Sequence, residues 1–132
     1  MARPRADSIT VATTERILDA AVLEFALRGY GEARLADIAA AAGITRPSLL
    51  YHYSSKAELY AATLGRAASL LAEMILRAVG SHGTFRDRLH FLVQNFVDFA
   101  DETPAVCRLL LRVLIADDAA VDVDADRVRR GA

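Results

Sequence analysis

The apolar positions of this chain fall into stripes with the period of an α-helix, which predicts an all-α protein. Ile17, Ala21 and Phe25 form one stripe, widened by Leu18 and Val22. Its helix should start at Thr13 or Thr14, either of which can cap it, with Glu15 near the positive end of the helix dipole. Gly29 and Gly31 end it, and Tyr30 between them packs back on it. Leu35, Ile38, Ala39 and Ala42, at i, i+3, i+4 and i+7, form a second stripe that Gly43 closes, because glycine enters the left-handed region without a Cβ penalty. Thr45 can cap a third helix with Pro47 in its first turn, and Leu49 and Tyr53 point inward from it.

Ser55 and Glu58 read as a capping box at the head of a long helix. Leu59, Ala62, Leu70, Met74 and Ala78 keep to one side of it until about Val79, a length of roughly 35 Å. Beyond Gly80 and Gly83, Thr84 can cap a helix with the stripe Leu89, Leu92, Val93, Phe96, Phe99 and Ala100. It stops near Glu102, and Thr103 with Pro104 is a restart signal. The next helix, Ala105 to Ala116, is apolar on almost every side and calls for a core larger than the remaining residues can build.

Between Arg34 and Lys56 two short helices meet at a sharp turn. The second turns Arg46, Ser48, Leu50, Tyr51 and His52 outward, a face of donors and flat rings about as wide as a DNA major groove. A helix-turn-helix presents its second helix in this way.

The segments ILDAAVLEFALRGY, LADIAAAAGITRPSLLYHY and SSKAELY, in this order and at this spacing, resemble the DNA-binding domain of the tetracycline-repressor (TetR) family of bacterial transcription regulators over Thr14 to Leu71. The resemblance implies a basic flexible arm over 1–11 carrying Arg3 and Arg5, a three-helix DNA-binding domain over 12–72, and a helical ligand-binding and dimerisation domain over 73–132, incomplete and joined through the long helix. It implies a ligand-responsive repressor that binds a palindromic operator on double-stranded DNA as a dimer. The alternative is a truncated interaction protein that pairs with a longer relative or is inert alone.

Site residues follow from the same resemblance. Arg34 stands where the family usually has a threonine that caps the second helix and touches phosphate; the cap is lost and the phosphate contact is kept. Arg46 is placed to read a guanine through O6 and N7. Thr45, Pro47, Ser48, Tyr51 and His52 lie at positions that bond phosphates or flank the bases, and Lys56 heads the long helix against a phosphate. Leu50 replaces a usual second tyrosine and can touch only a thymine methyl. A tilt of the long helix would move the reading head when a small apolar ligand binds. Phe85, Phe96 and Phe99 are the candidates to line that ligand's pocket, although phenylalanines at helical spacing are more often plain core.

Composition adds limits. At 132 residues with 54% hydrophobic content the chain can pack a core, and its net charge of −1 is not that of a general nucleic-acid coat, so binding must rest on local positive charge. No apolar run approaches the roughly 20 residues that span a bilayer, no signal region is visible, and the one cysteine, Cys107, can form no internal disulfide, which implies a cytoplasmic, nucleoid-associated protein. Asp122, Asp124 and Asp126 imitate the start of a calcium loop, but Arg127 occupies the glycine position and no closing glutamate follows. His82, His90 and Cys107 lack metal-ligand spacing, and no nucleophile, glycine-rich phosphate loop or paired carboxylate is visible. No metal, cofactor or enzymatic activity is expected. The chain reads as a fragment, a truncated gene product or a regulator that dimerises by a substitute surface.

Overall fold

Each apolar stripe becomes a helix in the computed structural model, which describes residues 4–115, with side chains from Ser8 onward. The helices are α1 (Pro4–Glu32), α2 (Leu35–Ala41), α3 (Arg46–His52), α4 (Lys56–Val79), α5 (Phe85–Glu102) and α6 (Pro104–Ile115), and no strand occurs among the described residues. The chain is therefore all-α. Arg3 and the tail that carries Asp122, Asp124 and Asp126 lie outside the described residues.

Helix α1 begins at Pro4 and not at Thr13 or Thr14, so the residues expected as an arm are helical from Pro4 onward. The reason is local. Proline is tolerated in a first turn, and the Thr13 and Thr14 hydroxyls donate to the carbonyls of Ile9 and Thr10 at 2.8 Å each, a bond that a threonine inside a helix can make. The far end behaves as expected. Gly29 has φ 74° and breaks the helix, leaving one more turn before α2.

Ile17, Ala21 and Phe25 are fully buried, and so are Ile38 of α2, Leu49 of α3 and Leu59 of α4. One cluster joins these to Val106 and Leu109 of α6. Phe25 meets Tyr60 edge-on at 4.9 Å, and Tyr30 folds back to within 5.0 Å of Tyr60. Arg66 of α4 pairs with Asp19 of α1 at 2.7 Å. Thr63, buried on α4, donates its hydroxyl to the Leu59 carbonyl at 2.7 Å, so no polar group is stranded there. By length and composition α4 could also cross a bilayer, which the charged residues along it conceal in a simple reading of runs. Its buried stripe and the Arg66 pair are those of a helix packed within a protein.

Helices α5 and α6 use only part of their apolar surface. Phe99 of α5 is buried, whereas Leu89, Val93 and Phe96 of the same stripe are exposed. On α6, Val106 and Leu109 face the core while Leu111, Leu114 and Ile115 face outward. The expectation that α6 is apolar beyond its available partners holds among the described residues.

Thr84 and Asp87 make a complete capping box: the Asp87 amide donates to the Thr84 hydroxyl at 3.2 Å and the Thr84 amide to the Asp87 carboxylate at 3.0 Å. These bonds, with the Thr84 hydroxyl, hold the Asp87 carboxyl below its ordinary value. A depressed folded-state value means that this contribution is present at neutral pH and is lost as pH falls below about 4. Asp87→Asn should therefore flatten the acid limb of a plot of melting temperature against pH, and an unchanged acid limb would remove the carboxylate from that role. Truncating the core gives a second test. Phe25→Ala should cost about 3 to 5 kcal/mol in urea unfolding and Phe96→Ala about 0.5, because only the first leaves a cavity; equal losses would contradict the burial pattern.

Candidate nucleic-acid interface

The turn between α2 and α3 is fixed by backbone bonds. The Ala42 amide donates to the Ile38 carbonyl at 3.0 Å, Gly43 follows at φ 73°, and the Ile44 amide reaches back to the Ala39 carbonyl at 3.0 Å. Ala39 and Ala42 are small and buried, which lets the two helices cross closely. Thr45 caps α3 as expected, its hydroxyl accepting from the Ser48 amide at 3.2 Å, and Pro47 sits in the first turn.

With Leu49 anchored, the other side of α3 faces solvent. Arg46 and Pro47 are exposed, Ser48, Leu50 and His52 are half-buried, and Tyr51 is 87% exposed. Its ring and hydroxyl together offer both apolar contact and a hydrogen bond to a partner. Among the described residues its ring meets the imidazole of His52, edge-on at 5.5 Å. Tyr53 turns inward, where burial and then the nearby Glu58 carboxylate push its phenol up.

The cations are arranged around this face. Arg34 occupies the extended N-cap position of α2 with no capping bond, so the lost cap is real. Among the described residues neither Arg34 nor Arg46 has an ion pair; the pairs there are Arg28 with Glu24 and Arg66 with Asp19. Lys56 is held differently. Its ammonium donates to the Gly31 carbonyl at 3.3 Å and lies 5.0 Å from the centroid of the Tyr30 ring. One donor of three is used, which leaves two for a phosphate.

The capping box at the head of α4 is shifted from the reciprocal pair expected. Ser55 accepts from the Glu58 amide at 3.1 Å, but the Glu58 carboxylate turns to Ser54, accepting from its amide at 2.9 Å and from its hydroxyl. Those bonds hold the Glu58 carboxyl below its ordinary value. Adjacent serines give the carboxylate two possible partners, and sequence spacing cannot choose between them.

The structure brings Thr45, Arg46, Pro47, Ser48, Leu50, Tyr51 and His52 onto one helix, with Arg34 at the start of α2 and Lys56 at the start of α4. It does not bring Phe85 to Phe96 and Phe99. Phe85 opens α5, is 81% exposed and lies about 20 Å along the helix axis from Phe99; Phe96 is one turn from Phe99, but it is exposed where Phe99 is buried. The open groove beside α6 is lined instead by Ala100, Pro104, Cys107, Arg108 and Leu111. Tyr30 and Gly31, which hold Lys56, carried no signal of that role in the sequence. Among the described residues no cluster of metal-ligating side chains occurs.

The family described as bacterial regulatory proteins, tetR family, matches residues 17–63. The transcriptional activator FasR of Mycolicibacterium smegmatis is 32% identical over 127 residues, covering 87% of this chain and 58% of the relative. The transcriptional repressor BepR of Brucella suis is 33% identical over 97 residues, covering 74% of this chain and 44% of the relative. A TetR-like transcriptional regulator from Rhodococcus sp. RHA1 superposes with TM-score 0.75 at 30% identity, covering 89% of this chain and 64% of that one. A tetR family structure from Shewanella sp. PV-4, at TM-score 0.66 and 21% identity, shares the fold. The chain thus spans about half the length of the curated relatives it matches, and the shared part contains the α2–turn–α3 unit. The chain belongs to the tetR family of bacterial regulatory proteins.

Proposed function

We propose that the chain is a sequence-specific DNA-binding transcriptional regulator that lays α3 in the major groove of an operator. The supporting observation is the solvent side of α3, where Arg46, without an ion pair among the described residues, and Tyr51 are both exposed on a helix whose other side is anchored by the fully buried Leu49. An overall charge of −1 gives no general pull toward DNA, so the local cations Arg34, Arg46 and Lys56 must supply it. Arg46 bonds guanine through O6 and N7, while Thr45, Ser48, Tyr51 and His52 set the register on phosphates. Leu50, half-buried, offers methyl contact to thymine.

A palindromic operator requires two reading heads about 34 to 36 Å apart, hence a two-fold dimer. The outward residues of α5 and α6 offer apolar surface for that assembly and for a small apolar effector. FasR is named an activator and BepR a repressor, so these two relatives differ in the sign of regulation. We favour a ligand-responsive repressor. The second reading, a protein that pairs with a longer relative, draws on the 81% and 83% exposure of Leu114 and Ile115.

Selection of duplexes from a random pool, followed by titration across salt, tests the reading. Arg46→Ala should cost about 1 to 3 kcal/mol and relax preference at one base pair, whereas Lys56→Ala should weaken every duplex and lower the salt slope by about one. An equal loss for every duplex with Arg46→Ala would take base reading away from that residue. Failure of the wild-type chain to enrich any duplex would favour the second reading.

A further inference from the structure

Helix α6 reaches the end of α1 through one side chain. Arg112 donates from Nε to the Ala26 carbonyl at 2.8 Å and from its guanidinium to the Leu27 carbonyl at 3.0 Å. These carbonyls lie in the last turn before Gly29, whose non-helical φ and ψ break α1 two to three residues later and favour outside donors for them. The approach is close. A Cβ on Gly29 would lie 3.1 Å from the Arg112 guanidinium, which would have to shift by a few tenths of an ångström, while the φ of 74° by itself strains any other residue there. Immediately beyond the break the Ala33 amide donates to the Gly29 carbonyl at 3.1 Å, and the Gly31 carbonyl and Tyr30 ring hold Lys56 at the head of α4.

We propose that Arg112 is a positioning residue for DNA binding: by clamping the end of α1 from α6 it fixes the Gly29–Gly31 corner, and that corner fixes the ammonium of Lys56 against the operator. The inference rests on the reading that α3 and the head of α4 face DNA. It deepens that reading by giving α6 a defined route to the interface, through four backbone carbonyls and one ring. Arginine suits the task because its planar fork meets two adjacent carbonyls in a fixed geometry, which a lysine's compact ammonium does not supply. A displacement of α6 would release the carbonyls, let the corner fray, and let Lys56 swing from its place without any change at Arg46. Affinity would fall while base preference stayed.

A double-mutant cycle in the full chain tests this, using a duplex that the wild-type chain selects from a random pool. Arg112→Ala should weaken binding about tenfold in the wild-type background and less than about twofold in a Lys56→Ala background, because the two act in series. Base preference should be unchanged, and Arg112→Lys, reaching one carbonyl, should fall between. Met74→Ala loosens the buried core away from the corner and controls for lost stability; its loss of affinity should be alike in both backgrounds. Equal losses for Arg112→Ala in the two backgrounds, or no loss, would overturn the proposal. Should the wild-type chain select no duplex, the DNA-binding reading fails, and hydrogen exchange still decides the clamp. The Ala33 amide and the first turn of α4 must then exchange faster in Arg112→Ala than in Met74→Ala. Matching exchange in the two variants would reduce Arg112 to a surface contact.

Discussion

Helix α1 must stop at Gly29, because only then can Tyr30 turn back onto Tyr60 and Phe25 and close the aromatic lid of the core. A backbone at φ 74° is open to glycine and strained for other residues, so this corner rests on one position. The consequences spread in two directions. Stopping the helix leaves the Ala26 and Leu27 carbonyls for Arg112, and turning it exposes the Gly31 carbonyl to Lys56. The carbonyls at this half-buried helix break are thus met by side chains from α6 and α4, both far away in sequence.

The same helix carries the stripe on which everything else packs. Ile17, Ala21 and Phe25 face α2 and α4 with no exposure at all, and α6 lies along α1 with Val106 and Leu109 inward. Anchoring α3 through Leu49 in that core makes the orientation of its outer face a rigid property, which a reading helix needs if side chains are to meet base edges within a fraction of an ångström. By contrast α5 spends little of its apolar surface on the described chain. The rigid and the unsatisfied parts of the molecule meet at α6.

Much of this was legible in local chemistry. The stripes of α1 to α4, the stops at Gly29 and Gly43, and the caps at Thr45, Ser55 and Thr84 involve residues within a few positions of each other, so periodicity and cap geometry expose them. The early start of α1 was hidden because Thr13 and Thr14 look like caps yet bond carbonyls four residues back. The partner of Glu58 was hidden because Ser54 and Ser55 are chemically alike. Contacts of Lys56 with Gly31, 25 positions away, and of Arg112 with Ala26, 86 positions away, have no local trace at all. The distance of Phe85 from Phe96 and Phe99 along α5 follows from helix rise, whereas helical spacing alone suggests only that the three are more often plain core than pocket.

The central claim is that DNA meets this chain on the outer face of α3 and at the head of α4. Amide chemical-shift perturbation on adding a selected duplex tests it most directly, because it locates the contact without altering any residue. The largest changes should fall on Thr45 to His52 and on Ser55 to Glu58, with smaller ones at Arg34 and the Gly31 corner. Perturbations confined to α5 and the outer side of α6, with α3 silent, would contradict the account.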